Sequence, residues 1–174
     1  MKRSILVVLS VVLTATPAFT QTRNRSTAKP KTSSTAAAAQ KTSQARTAGA
    51  TRVAEQIKFL TRFIYLLGGV TSGIAAVDEA AKRNEASPAV LQKNQQSKVT
   101  VKTSIQGFRE SLDKLEIDFR GTPELQPYYI KLAGVADGAA TAEQQAAANQ
   151  FDAAGRSLLN VISRLTDVLV IMRQ

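Results

Sequence analysis

The chain contains neither histidine nor cysteine, and this absence narrows the chemistry before any element is placed. Ser-His-Asp and Cys-His nucleophile systems each lack a member. The Glu-x-x-His di-iron sites that helical bundles often carry cannot be assembled. Structural zinc and axial haem ligation through histidine or cysteine are excluded on the same ground. Paired carboxylates remain for acid–base work, and the candidates are Glu116 with Asp118 and Asp78 with Glu79. The second pair sits beside cations at helical i,i+4 spacing, Asp78–Lys82 and Glu79–Arg83. No second carboxylate is placed opposite either pair, as a glycosidase-type site would require. Both read as surface charge, so the expectation is a protein that is not an enzyme, with no cofactor and no metal.

Three further groups are candidates for binding. Gly68-Gly69-Val70-Thr71-Ser72-Gly73 lacks the lysine and the preceding strand of a phosphate loop. The uncharged run around it, Phe63 to Val77, is 15 residues long, short of the ~20 needed to cross a bilayer. Gly69-x-x-x-Gly73 therefore reads as a close contact between helices. Its alternative is a kink that opens a ligand cavity among small residues, with Asn94 as the polar member. Asn94 also falls in an apolar seam, where a polar residue more often fixes register. Tyr128-Tyr129 could stack on a sugar or aromatic ligand. The plainer arrangement puts one ring in the core and leaves the other hydroxyl wet.

The elements that must position these groups follow an N-terminal leader. Met1-Lys2-Arg3, an uncharged run from Ile5 to Leu13 and Ala15-Thr16-Pro17-Ala18-Phe19-Thr20 have the form of a signal peptide over residues 1–20. Cleavage after Ala18 (Thr16 at −3) and after Thr20 (Ala18 at −3) both satisfy the small-residue rule. A leader left uncleaved would act as a short anchor. With no cysteine, an exported fold relies on its apolar core alone.

Residues 21–50 carry Arg23, Arg25, Lys29, Lys31, Lys41 and Arg46 and no acid. No apolar residue there is larger than alanine, and Pro30 interrupts any early helix. The expectation is a disordered basic linker, either a solvated spacer or a weak electrostatic tether to an anionic surface. The chain holds 23 Lys and Arg against 13 Asp and Glu. Two of the cations lie in the leader and six in the linker, leaving 15 for residues 51–174 beside all 13 acids. The domain is nearly balanced, so nucleic acid is an unlikely partner for it.

From Val53 onward the pattern is helical. Val53, Ile57, Leu60, Ile64, Leu67, Thr71 and Ile74 form one apolar row, and Phe59, Phe63, Leu66, Val70, Gly73 and Val77 form a second. Two adjacent rows predict a helix covered on more than one side, as in a bundle. The first helix is expected over about 51–83. Ser87-Pro88 supplies a cap and an N1 proline for a second, about 88–120, in coiled-coil-like register. Gly121 ends it, and Thr122-Pro123 starts a third over about 123–148, its regular part delayed by Pro127 and a kink or break expected near 138–141. The fourth spans about 151–173. Ala-Asn-Gln-Phe-Asp-Ala-Ala at 148–154 resembles the tight turn of tetratricopeptide hairpins, a likeness of seven residues that implies a turn and no repeat.

The fold class expected is all-α: an antiparallel up-down four-helix bundle over 51–174 behind a signal peptide and a basic tail. One end should collect the large side chains, among them Phe59, Phe63, Phe108, Phe119, Leu125, Tyr128, Tyr129 and Met172. The other should collect Gly69, Gly73, Ala75, Asn94, Ser97, Ala139, Ala146, Ala147 and Ala154. The function expected is that of an exported interaction or structural protein of a bacterial envelope, periplasmic or extracellular. Its tail would bind an anionic membrane or wall polymer, and deleting 21–50 would leave thermal stability unchanged. The rival is a carrier of a lipid or aromatic ligand in the Gly/Ala-rich end.

Overall fold

The computed structural model describes residues 32–174. The signal peptide and the tail cations Arg23, Arg25, Lys29 and Lys31 lie outside the described residues. Five helices follow in order: α1 (Thr32–Lys82), α2 (Pro88–Gly121), α3 (Gln126–Leu132), α4 (Val135–Ala147) and α5 (Phe151–Arg173), with a 3-10 turn at Pro123–Leu125. There is no strand among the described residues.

The core is built on α5. Phe151, Leu158, Leu165 and Met172 recur every seventh residue, Ala154, Val161 and Val168 form a second such row beside them, and all seven are buried. This is the a/d pattern of a helix gripped from two sides. α1 and α4 both pack along it, and α2 closes the ring by packing on α1 and α4. On α2 the buried row is Asn94, Val101, Ile105, Leu112, Leu115 and Phe119. On α1 it is Val53, Leu60, Leu67 and Ile74, one residue per heptad. Each buried Val, Leu, Ile, Phe or Met of these rows contributes about 1.5–3 kcal/mol by leaving water.

Helix boundaries follow local chemistry. Ser87, in extended conformation, accepts a hydrogen bond from the Val90 N–H at 3.4 Å, with Pro88 in the first turn. The tight turn before α5 places Asn149 at φ 60°, a left-handed conformation that asparagine tolerates. The third expected helix is instead broken earlier than 138–141. Ala133 turns extended, and Gly134 takes φ 85°, which no side chain with a Cβ adopts cheaply. Two side chains hold the break: Glu116 Oε1 accepts from the Ala136 N–H at 2.7 Å, and Arg164 Nη1 donates to the Gly134 carbonyl at 3.0 Å. Gly138 lies inside α4, where an added Cβ would come within 2.9 Å of Val161 Cγ2. It is there to let α4 and α5 approach.

The largest correction concerns residues 32–50, expected as disordered linker and found as the first third of α1. Three causes act together. Ala36–Ala39 is a run of the best helix former, no proline follows Pro30 before residue 88, and extending a helix that already exists needs no new nucleus. The segment is also held. Gly49 is buried, and a Cβ there would sit 2.9 Å from both Leu125 Cδ2 and Met172 Cε. Lys41 Nζ lies 2.9 Å from Glu124 Oε1. The absence of any apolar residue larger than alanine, read as a reason for disorder, is what allows Leu125 and Met172 to cover this part of the helix.

The close contact expected at Gly69 and Gly73 is not made. Both are exposed, and a Cβ on either meets no atom within 4 Å. Gly69→Ala and Gly73→Ala should therefore each raise the unfolding free energy by about 0.5–1 kcal/mol, from helix propensity alone. Gly49→Leu should lower it by about 1–3 kcal/mol through overpacking. Urea titrations of the three variants check this; destabilisation by the two exposed substitutions would contradict the packing described.

Candidate functional site

The second apolar row of α1 is left largely uncovered. Phe59 is 56% exposed, Leu66 57% and Val70 39%, and Tyr65 beside them is 84% exposed. Phe63 alone in this row finds an aromatic partner, meeting Phe108 edge-on with ring centroids 5.0 Å apart. The sequence places two apolar rows on α1, but α5 and α2 together cover only the Val53–Ile74 row. Within Thr35–Lys82 an 18-residue window reaches a mean hydropathy of 1.4 with 17% of it buried, long and apolar enough by composition to cross a membrane. Contiguous exposed apolar surface on this scale marks an interaction site in most proteins.

Between α1 and α2 the uncovered row borders a groove of about 460 Å³. Phe63, Leu66, Leu67 and Val70 form its apolar wall, and Lys93, Ser97, Thr100 and Val101 line the α2 side. Gly69 and Gly73 do not line it. The groove lies about one turn from these glycines, toward Phe63. Ala139, Ala146 and Ala154 are buried as core, whereas Ala75 points to solvent.

Asn94 is 8% exposed, and its Nδ2 donates to Asp78 Oδ1 at 2.7 Å. Lys98 Nζ donates to the same oxygen at 2.7 Å, with its side chain 16% exposed. One α1 carboxylate therefore holds a buried amide and a shielded ammonium of α2. This locks the relative register of the two helices, the role expected for a polar seam residue. The i,i+4 pairs expected at the end of α1 are replaced. Asp78 turns inward to α2, Lys82 bonds Glu79 at 2.7 Å, and Arg83 bonds Glu85 at 2.9 Å. The hydrogen bond from Lys82 holds the Glu79 carboxyl below its ordinary range, and Glu79 raises the Lys82 ammonium in return.

The other carboxylate candidates have structural partners. Glu116 caps the first turn of α4, and Asp118 Oδ2 accepts from Arg52 Nη1 at 2.8 Å. Among the described residues no three metal-ligating side chains cluster. Tyr128 and Tyr129 are both half-buried against the core. Of the tail cations within the described residues, Lys41 is paired with Glu124. Arg46 is half-buried and lines a second groove, between α1 and α5. That groove was invisible in the sequence, because its walls are more than 100 residues apart.

No family model, curated protein or solved structure matches this chain.

Two expectations follow from these contacts. Asn94→Leu should leave Asp78 and Lys98 without their shared amide and cost about 1–3 kcal/mol, while Asn94→Asp should cost more by setting two carboxylates together; chemical denaturation distinguishes them. The hydrogen bond from Lys41 holds the Glu124 carboxyl below its ordinary value of 4.5. The stabilisation is therefore present above that value and is lost as pH falls through the lower folded pKa. Amide protection factors over residues 41–50, taken against the intrinsic rate at each pH, should fall on acidification in the native chain and change less in Lys41→Gln.

Proposed function

We propose that this is an exported, non-enzymatic interaction or structural protein of the cell envelope. In this reading the helices form a four-helix bundle in which α3 and α4 together make one arm. The bundle offers the outer face of α1 to a protein partner. The basic segment preceding α1 attaches it loosely to an anionic membrane or wall polymer, in a periplasmic or extracellular setting. The observation that carries the reading is the uncovered row Phe59, Leu66 and Val70, flanked by Tyr65. A soluble helix leaves such a row exposed at a cost in solubility unless something covers it.

The tether requires a different test from deletion of residues 21–50. That cut would remove buried Gly49 and the Lys41–Glu124 pair and shorten α1, so lost binding could not be separated from lost stability. Replacing Arg23, Arg25, Lys29 and Lys31 by glutamine leaves 32–50 intact. Binding to phosphatidylglycerol vesicles should fall at low salt, where the Debye length exceeds about 10 Å, and the melting temperature should not move. For the partner face, a photocrosslinking residue at position 66 should capture one discrete protein in the native host. Phe59→Glu with Val70→Glu should abolish that adduct while the melting temperature holds. Persistence of the adduct in that double variant would remove α1 as the docking face.

A second reading, carriage of a lipid or aromatic molecule, is favoured by the α1/α2 groove. It predicts that Ser97→Phe fills the groove and removes any ligand-dependent rise in melting temperature. Gly73→Leu, which lies outside the groove, should leave that rise unchanged.

A further inference from the structure

The groove between α1 and α5 gathers cations over a floor of small and apolar side chains. Ala50, Ala54, Leu169 and Met172 form the floor, and Arg46, Lys58 and Arg173 stand around it with Glu55 as the one acid. Its volume is about 510 Å³. The register brings two of the cations to the same end. Gly49, less than one turn from Arg46, packs against Met172, which adjoins Arg173. Among the described residues neither arginine lies within 4.0 Å of a carboxylate, whereas Lys41, Arg52, Lys98 and Arg109 are all so paired. The N-terminal segment cannot supply a partner either, since Glu55 is the first acidic residue in the sequence. Three cations against a single carboxylate make the groove lining net positive, which favours an anion there.

We propose that this end of the α1/α5 groove is a binding site for a phosphate group, with Arg46 and Arg173 as its ligands. Guanidinium forks match the paired oxygens of a phosphate in a way that a point charge does not. A phosphate presents enough oxygens for both forks at once. The α1 backbone holds Arg46 in place, because Gly49 and Ala50 are packed against the bundle. This deepens the surface-attachment reading by adding a defined site to a diffuse tether. It requires residues 32–50 to be helical, and it does not require the cations at 23–31.

The test uses the full mature chain and two probes, inorganic pyrophosphate and phosphatidylglycerol vesicles. The site variant is Arg46→Gln with Arg173→Gln. The charge-matched control is Arg120→Gln with Lys131→Gln, two exposed cations away from the groove. Binding of either probe that is roughly tenfold weaker in the site variant, and within about twofold of wild type in the control, supports the site. Response to pyrophosphate identifies free phosphate as sufficient, and response to vesicles alone identifies a lipid headgroup as the source. Arg46→Lys should recover only part of the affinity, since an ammonium cannot form the bidentate contact. Equal loss in control and site variants, or no binding of either probe by the wild-type chain, overturns the site. The glutamine substitutions at 23, 25, 29 and 31 report on the diffuse tether separately, so failure of one reading leaves the other measurable.

Discussion

The double heptad row of α5 is the constraint on which the other helices depend. Its seven buried residues present a stripe wide enough for two neighbours, and α1 and α4 occupy those two positions. Small residues set how closely each neighbour comes. Gly138 lets α4 approach Val161 of α5, while Gly155 meets Leu67 of α1 at ordinary contact distance for an added Cβ. Once α5 is gripped in this way, α2 can only close the ring from the far side, resting on both α1 and α4. The closure is pinned by polar contacts that do not depend on shape. Asp78 holds Asn94 and Lys98 near one end, and Arg52 meets Asp118 toward the other.

The same geometry leaves α1 underused. It carries two apolar rows, yet it contributes one fully buried residue per heptad where α5 contributes two. The surplus is the exposed Phe59–Val70 row, on which the proposed partner face rests. The length of α1 has a second consequence. At 51 residues it outruns the 34-residue α2, and at ~1.5 Å per residue the difference is about 25 Å. The cations Lys41 and Arg46 are thereby carried on a rigid rod. Lys41 is used to hold the 3-10 turn, and Arg46 is delivered to the α1/α5 groove.

The helices of residues 51–174 are legible in the sequence because their determinants are local. Ser87-Pro88, Gly121 and Asn149-Gln150 act within a turn of themselves, and a repeat of seven survives any arrangement of neighbours. The position of the break between α3 and α4 was less legible. Gly138 and Gly134 are equally plausible helix breakers in a one-dimensional reading. Glu116 and Arg164, which hold the break at 133–134, lie about 20 and 30 residues away. The fate of residues 32–50 was obscured in the same way. Alanine content speaks for helix and lack of bulk speaks against burial, and only Leu125 and Met172 decide between them. Of the small-residue candidates, Asn94 kept a role in the seam, whereas Gly69 and Gly73 proved to face open solvent.

The residues alone determine that histidine and cysteine chemistry is absent, that the chain is helical from Val53 onward, and that its charge excess lies at the N-terminal side. These follow from composition and from spacings shorter than two turns. Which of α1's two apolar rows would be covered, where Arg46 would be held, and which carboxylates would become caps or helix clamps were decided by tertiary structure. The reason is that amphipathic rows specify a face but no partner. The partner is chosen by close packing along α5 and by hydrogen bonds that reach across tens of residues of chain.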